Sequence, residues 1–153
     1  MNSAPEPAVR PATASDADAV FRLLGDFATT YRPDHDRFTT VTFPGALHAA
    51  AEGRAEFLVA VRDSQVIGYA YAARTMTLFA GGTVLELLEL AVDTPLRGHG
   101  TGSRLVRAMQ TRAREAADVE LTVPTRRAVD FYRRLDFTET AAFLKWPVPG
   151  TGV

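Results

Sequence analysis

A hydrophobic run that hands over to a helix through a loop holding three glycines constrains this chain more than any other feature. In "ELAVDTPLRGHGTGSRLV" the run Glu89 to Val92 is followed by Gly98, Gly100 and Gly102. Beyond them Leu105, Val106, Met109, Ala113 and Ala116 recur at helical spacing, and "VELTV" then reads as a short strand. A strand, helix, strand order across residues 84 to 123 is a βαβ unit, which places its two strands parallel. Upstream, "EFLVAVR", "QVIGYAYAAR" and "TVLELLELAV" are strand candidates joined by a polar "DSQ" turn and a loop at Gly81 and Gly82, the pattern of an antiparallel meander. The fold class is therefore α/β with a mixed, α+β type of sheet: an antiparallel front followed by a parallel crossover.

The other segments fill in around this frame. "AVRPAT" suits a first short strand, and "SDADAVFRLLGDFA" a helix in which Ser15 and Asp18 form a capping box and Val20, Leu23, Leu24 and Phe27 share one face. "TTYRPDHDRFTTVTFPG" mixes aromatics, charges and prolines without a clear period and reads as an irregular lobe, before a short helix in "ALHAAAEGRA" that ends near Gly53. "RRAVDFYRRL" predicts a later helix and "FTETAAFLKWPV" a final strand. A chain of 153 residues suits one domain, expected over 8–148 between flexible tails at 1–7 and 149–153.

Composition narrows the chemistry. With no cysteine, disulfides, thiolate metal sites and a cysteine nucleophile are excluded together. His35, His48 and His99 lie far apart without ligand spacing, so no metal site is expected. A net charge of -1 gives no bulk attraction to nucleic acid or to an acidic membrane, and neither is expected as a partner. The opening "MNSAPEPAVRPAT" lacks the basic and apolar regions of a signal peptide and no segment has the apolar length of a membrane span, so a cytoplasmic location is expected.

The glycine loop is where an anion can be held. Several backbone N–H groups at a helix start lack intrahelical partners, and the helix dipole adds partial positive charge. Glycines let phosphate oxygens come close to those groups, and Arg97 adds a fixed charge at the rim. The nucleotide signatures fail: no lysine follows Gly102, as a G-x-x-x-x-G-K-[ST] loop requires, and glycines at every second residue do not make G-x-G-x-x-G. His99 is most simply a solvent-side loop residue, Arg104 could reach a phosphate from the first helical turn, and Arg126 and Arg127 could meet the far end of such a ligand or form a charged surface.

The order R-x-x-G-x-G, from Arg97 through Gly100 to Gly102, resembles the pyrophosphate loop of the GCN5-related N-acetyltransferase (GNAT) family, which binds acetyl coenzyme A. The resemblance spans nearly the whole chain, with "VRPATASDADAVFRLL" similar to the family's first strand and helix, "LELLELAVDTPLRGHGTG" to its central strand and loop, and "AVDFYRRLDF" to its later helix. Two positions depart from it: Thr125 stands where an asparagine is frequent, and Asp136 where a glycine precedes the last phenylalanine.

The resemblance implies acetyl-CoA as cosubstrate, held by the loop residues Arg97, Gly98, His99, Gly100, Thr101, Gly102 and Ser103. It also implies a central strand that splays from its neighbour, freeing main-chain groups of Leu90, Ala91 and Val92 for the pantetheine arm. The acceptor would be a primary amine, on a small molecule or a protein. Without cysteine no acyl-cysteine intermediate can form, so direct attack in a ternary complex is the natural mechanism. A free alkylamine has a pKa of about 10.4 and needs a route for its proton at neutral pH. Glu86 and Glu89, in an otherwise apolar strand, are candidates. Strict alternation puts them on opposite faces unless a bulge intervenes. Glu86 matches the position where some family members place a base, and Tyr132 matches a tyrosine that many use to protonate the thiolate.

By the same resemblance the acceptor enters near "DFATTYRPDHDRFTTVTF", where Tyr31, Asp34 and Phe38, with His35 and Asp36, form an acidic and aromatic cluster that could attract a cationic amine or be only a surface loop. A noncatalytic acyl-CoA sensor is the alternative reading, and a homodimer is expected only by analogy. A nucleotide hydrolase would need the lysine and metal-binding carboxylates that the loop lacks.

Overall fold

The computed structural model describes residues 4–27 and 31–150. Five strands, β1 (Ala8–Pro11), β2 (Ala55–Arg62), β3 (Gln65–Thr77), β4 (Gly82–Val92) and β5 (Glu120–Thr122), form one sheet in sequence order. The first four are antiparallel and β4 runs parallel to β5, as the meander and crossover predict. The β2 to β3 hairpin turns on Asp63 and Ser64, both left-handed at φ 49° and 63°, the conformation that a tight two-residue hairpin demands.

Helices cover both faces. On one side α4 (Thr101–Glu115) buries Leu105, Val106, Met109 and Ala113 against Leu58, Ala70, Leu85 and Leu87, joined by the short α5 (Val129–Arg133). On the other, α1 (Ala17–Leu24) and α3 (Phe43–Ala51) pack Val20, Leu23 and Phe43 onto Phe57, Val59, Tyr69 and Ala91. Removing this apolar surface from water is the main force that fixes helices to sheet.

Four expectations need correction. The lobe after α1 is helical from His35 onward: a turn α2 (His35–Arg37) runs through a π-helical turn (Phe38–Thr42) into α3, while residues 31–34 carry no regular structure. Pro44 has no N–H to give to Thr40, and the widened turn takes up the difference, with Phe43 N–H donating to Phe38 O. The freed segment is braced by Thr40 Oγ1 on the Asp36 carbonyl at 2.6 Å and Thr39 Oγ1 on His35 at 3.1 Å.

The first cap lies earlier than Ser15 and Asp18. Asp16 accepts the Thr13 N–H at 2.8 Å and forms a two-armed pair with Arg10 at 2.7 and 2.9 Å, so that α1 starts after a 3-10 turn. The later helix is shorter than "RRAVDFYRRL", because its entry is a turn in which Ala128 N–H donates to Thr125 Oγ1 at 3.1 Å. The final strand does not form: residues 138–148 carry no regular structure, and Phe143, Leu144, Trp146 and Val148 are exposed. Pro147 and Pro149 cannot donate to a ladder, and β5 offers an edge only three residues long.

Candidate functional site

The site is built where β4 stops pairing with β5. Their parallel ladder joins Val84 to Glu120, Leu85 to Leu121 and Glu86 to Thr122, and then β5 leaves toward Pro124. From Leu87 to Val92 that edge of β4 has no strand beside it among the described residues, as the splayed strand implied by the resemblance requires. On its other edge β4 stays paired with β3 throughout, Gly68 opposite Val92 to Thr77 opposite Gly82.

A bulge marks the change. Tyr71 pairs with Glu89 while the next residue, Ala72, pairs with Leu87, so Leu88 is the extra residue in β4. Its side chain is half exposed. The bulge resets the alternation: Leu85, Leu87, Leu90 and Val92 face α4, whereas Ala91 joins the core under α1. Glu86, opposite Ala73, and Glu89, opposite Tyr71, therefore share the α1 face with Tyr69. Tyr69 donates a 2.8 Å hydrogen bond to Glu89 Oε1.

Beyond Val92 the chain turns through Thr94–Leu96 into the glycine loop. Gly98 and Gly100 are left-handed at φ 81° and 84°, which a side chain would resist even though nothing lies within 4 Å of either position. Gly102 is different: it is helical, and a Cβ there would lie 3.4 Å from the Phe131 ring. The first helical bond of α4 runs from Arg104 N–H to Gly100 O at 3.0 Å, which leaves the Gly102 and Ser103 amides ahead of it without intrahelical acceptors. Gly68 lets this end of α4 settle on the sheet, since a Cβ there would fall 2.9 Å from the Ala91 carbonyl and 3.3 Å from Leu105.

A cleft of about 800 Å³ opens over these groups. Leu90, Ala91, Val92, Arg97, Gly98, Gly100, Thr101, Gly102 and Ser103 all line it, while His99 of the same loop does not. Arg97 also donates to the Val92 carbonyl at 3.2 Å. Arg126 and Arg127 reach the cleft, and so does Arg134, which sequence reasoning missed together with Phe131 and Phe27. Phe27 follows α1, Phe131 lies within α5 and Arg134 caps it, and only the assembled fold brings them to the loop. Arg104 instead pairs with Glu6. A ring of arginines, unpaired helix amides and an open strand edge fit a long ligand with an anionic end and an amide-bearing arm, which is the chemistry of coenzyme A.

Tyr132 is buried between Phe131 and Phe137, with ring centroids 4.9 and 5.4 Å away, and burial pushes its phenol up to about 12. It lines a separate cavity of about 480 Å³ between β5, α5 and the following segment, one residue along α5 from Phe131 in the cleft wall. Glu86 and Glu89 line neither cavity.

In the acceptor lobe Asp34 caps α2 by accepting the Arg37 N–H at 2.9 Å, and Phe38 is buried between Phe21 and Phe43. Tyr31 is partly open, with the Lys145 amine 5.5 Å above its ring. His35 bonds Asp18 at 3.0 Å, and that contact, with a smaller one from Asp36, raises its pKa. Among the described residues no group of three or more His, Cys, Asp or Glu is placed to hold a metal ion, and no helix is long and apolar enough to cross a membrane.

Comparison with known proteins places this geometry. A family model described as an acetyltransferase (GNAT) domain matches residues 53–139, from the turn before β2 to just beyond α5. The chain belongs to the GNAT acetyltransferase family.

Solved structures share the fold over almost their whole length. A transcriptional regulator from Bacillus halodurans C-125 is 22% identical with a TM-score of 0.83, covering 93% of this chain and 99% of that one. Glucosamine-6-phosphate N-acetyltransferase from Arabidopsis thaliana is 14% identical with a TM-score of 0.80, covering 94% and 99%. The ribosomal-protein-alanine N-acetyltransferase of Brucella melitensis biovar Abortus 2308 is 19% identical at 0.68, covering 93% and 97%. A search of curated proteins returned no match.

Proposed function

We propose that this acetyltransferase moves an acetyl group from acetyl-CoA directly to a primary amine, of a small molecule or a protein, within a ternary complex. The observation that carries the reading is the junction of the open β4 edge with the left-handed glycine loop in one arginine-rimmed cleft. Bound there, acetyl-CoA supplies an acyl thioester, an activated carbonyl with a thiolate leaving group.

The chain's own groups divide the remaining work. Amides of Gly102 and Ser103 at the α4 start, with Arg97, hold the diphosphate. Main-chain groups of Leu90, Ala91 and Val92 orient the pantetheine arm. Glu89 takes the proton from the incoming ammonium. It lies two residues from Ala91, about 7 Å along the strand, in the half of β4 open to the cleft. Glu86, flanked by both Ala73 and Thr122, sits further back on the same face as a relay. Tyr132, kept protonated by its burial, gives the proton to the sulfur. Tyr31 and Asp34 lie on the side from which the amine approaches; Phe38 supports that side from within.

Calorimetric titration with acetyl-CoA and a thiol-release assay test this together, using glucosamine 6-phosphate, spermidine, tyramine and an alanine-initiated peptide as acceptors. Binding to the native protein, at least about tenfold weaker (1.4 kcal/mol) in Gly100→Val, with thiol release for one amine, is the expected outcome. Tight binding with no release for any amine would make the protein an acyl-CoA sensor instead.

A further inference from the structure

Tyr69 is the polar exception in a core of hydrocarbon. The other buried members of the cluster under α1 are Val20, Leu23, Phe38, Phe43, Phe57, Val59, Val66 and Ala91. A phenylalanine would fill the same volume, as it does at the buried positions 38, 43 and 57. A hydroxyl buried there costs free energy unless it is hydrogen-bonded, and its partner is the Glu89 carboxylate. Tyr69 is 1% exposed and its ring packs edge-on to Phe57 at 6.2 Å, so its oxygen is fixed in space. Burial first, then the Glu89 charge and the hydrogen bond, raise its pKa far above that of an ordinary phenol, and it remains a donor throughout the working pH range.

Glu89 sits beside the bulge, where the strand is least regular, and its side chain has rotamers to lose. The bond engages Oε1; Oε2 accepts no hydrogen bond from any described residue. Tyr71, directly across the ladder from Glu89, closes the same side, its ring 5.2 Å from Phe57. One carboxylate oxygen is thus pinned by a rigid donor while the other stays available to a proton.

We propose that Tyr69 is the positioning residue of the transfer reaction, holding the Glu89 carboxylate by Oε1 so that Oε2 is aimed at the acceptor amine. The inference rests on the assignment of Glu89 as base. Tyr69 exchanges no proton with the substrate: the N–H proton of the amine goes to Glu89 Oε2, and the Tyr69 O–H bond stays intact.

The test is a double-mutant cycle of Tyr69→Phe and Glu89→Gln, read as kcat and KM with the amine of the above panel that the native protein acetylates fastest. Tyr69→Phe keeps the core volume and should fold. It should lower kcat about tenfold with KM for acetyl-CoA unchanged, and in the Glu89→Gln background it should change kcat less than twofold, because two residues acting through one group are not additive. Independently of turnover, the native protein should show a slowly exchanging downfield hydroxyl proton in its NMR spectrum, absent in Tyr69→Phe and shifted in Glu89→Gln. Normal kcat in Tyr69→Phe with slow Glu89→Gln, or additive losses, would overturn the positioning role while leaving Glu89 as base. Normal kcat in Glu89→Gln, or no turnover of any amine, would remove the base and the inference with it.

Discussion

The two halves of β4 have similar sequences and opposite roles. From Thr83 to Glu86 the strand is held on both edges, and the charges nearest it are locked together: Asp118, with its side chain wholly buried, takes hydrogen bonds from Arg74 at 2.8 Å and Thr83 at 2.6 Å. From Leu87 to Val92 one edge is open, and the nearby charges, Glu89 and Arg97, each keep polar capacity in reserve. A strand interior becomes a ligand surface when its neighbour is withdrawn, since the unpaired N–H and C=O groups must then be met by water or by something that binds. No change of residue type is needed.

The paired half should carry stability. Asp118→Ala leaves Arg74, itself mostly buried and still paired with Glu56 at 3.0 Å, short of its main partner. Unfolding in urea at neutral pH should show a loss of about 3 kcal/mol, with coenzyme A affinity per folded molecule unchanged. Burial tends to raise the Asp118 pKa, but hydrogen bonds from Arg74 and Thr83 and the Arg74 charge overcome it, and the net shift is below the usual 3.8. A carboxyl depressed in the folded state contributes stability above its unfolded pKa and loses it as the pH falls through the folded value. The native protein should therefore lose stability more steeply below pH 3.8 than Asp118→Ala does, and parallel acid profiles would show that Asp118 is not the anchor of this half.

The open half should carry activity, and the bulge is the place to separate the two. Deleting Leu88 makes the pairs of Glu89 with Tyr71 and Leu87 with Ala72 consecutive, so every side chain keeps its face while the local bend is lost. The variant should melt near the native temperature yet turn over on the order of 100-fold more slowly, the effect of roughly an ångström of misplacement. Deleting Leu85 instead inverts the residues before it and should prevent folding. Equal turnover with and without Leu88 would mean that the bulge is incidental to the cleft.

What the sequence disclosed follows the same division. The glycine loop was legible because its chemistry is local: R-x-x-G-x-G sits on contiguous residues, and Gly98 and Gly100 adopt the backbone that only glycine enters freely. The crossover was legible from the spacing of Leu105, Val106, Met109 and Ala113. The common face of Glu86 and Glu89 was not, since a bulge is a property of the register between β3 and β4 and leaves no mark in β4 itself. The helical turns at 35–45 escaped, although the end of α3 was read, because the π turn sets Phe38 and Phe43 five residues apart, outside the 3.6-residue period. Residues 137–148 read as a final strand, but the sequence could not reveal that no ladder receives them.

Arg134 offers the smallest and sharpest contrast with the loop. It is exposed at the end of α5 and meets the cleft with a long side chain, whereas the amides of Gly102 and Ser103 belong to the first turn of α4. A flexible surface charge facing a phosphate should contribute about 0.5 to 1 kcal/mol, and screening should erase it as salt rises toward 1 M, where the Debye length is about 3 Å. Arg134→Ala is thus expected to weaken coenzyme A binding about two- to fivefold in dilute buffer and hardly at all in concentrated salt. The defect of Gly100→Val should persist under both conditions, because it lies in backbone geometry that ions do not screen. A salt-independent loss in Arg134→Ala would instead mark this arginine as part of the fixed cradle and extend the rigid site from the loop across to α5.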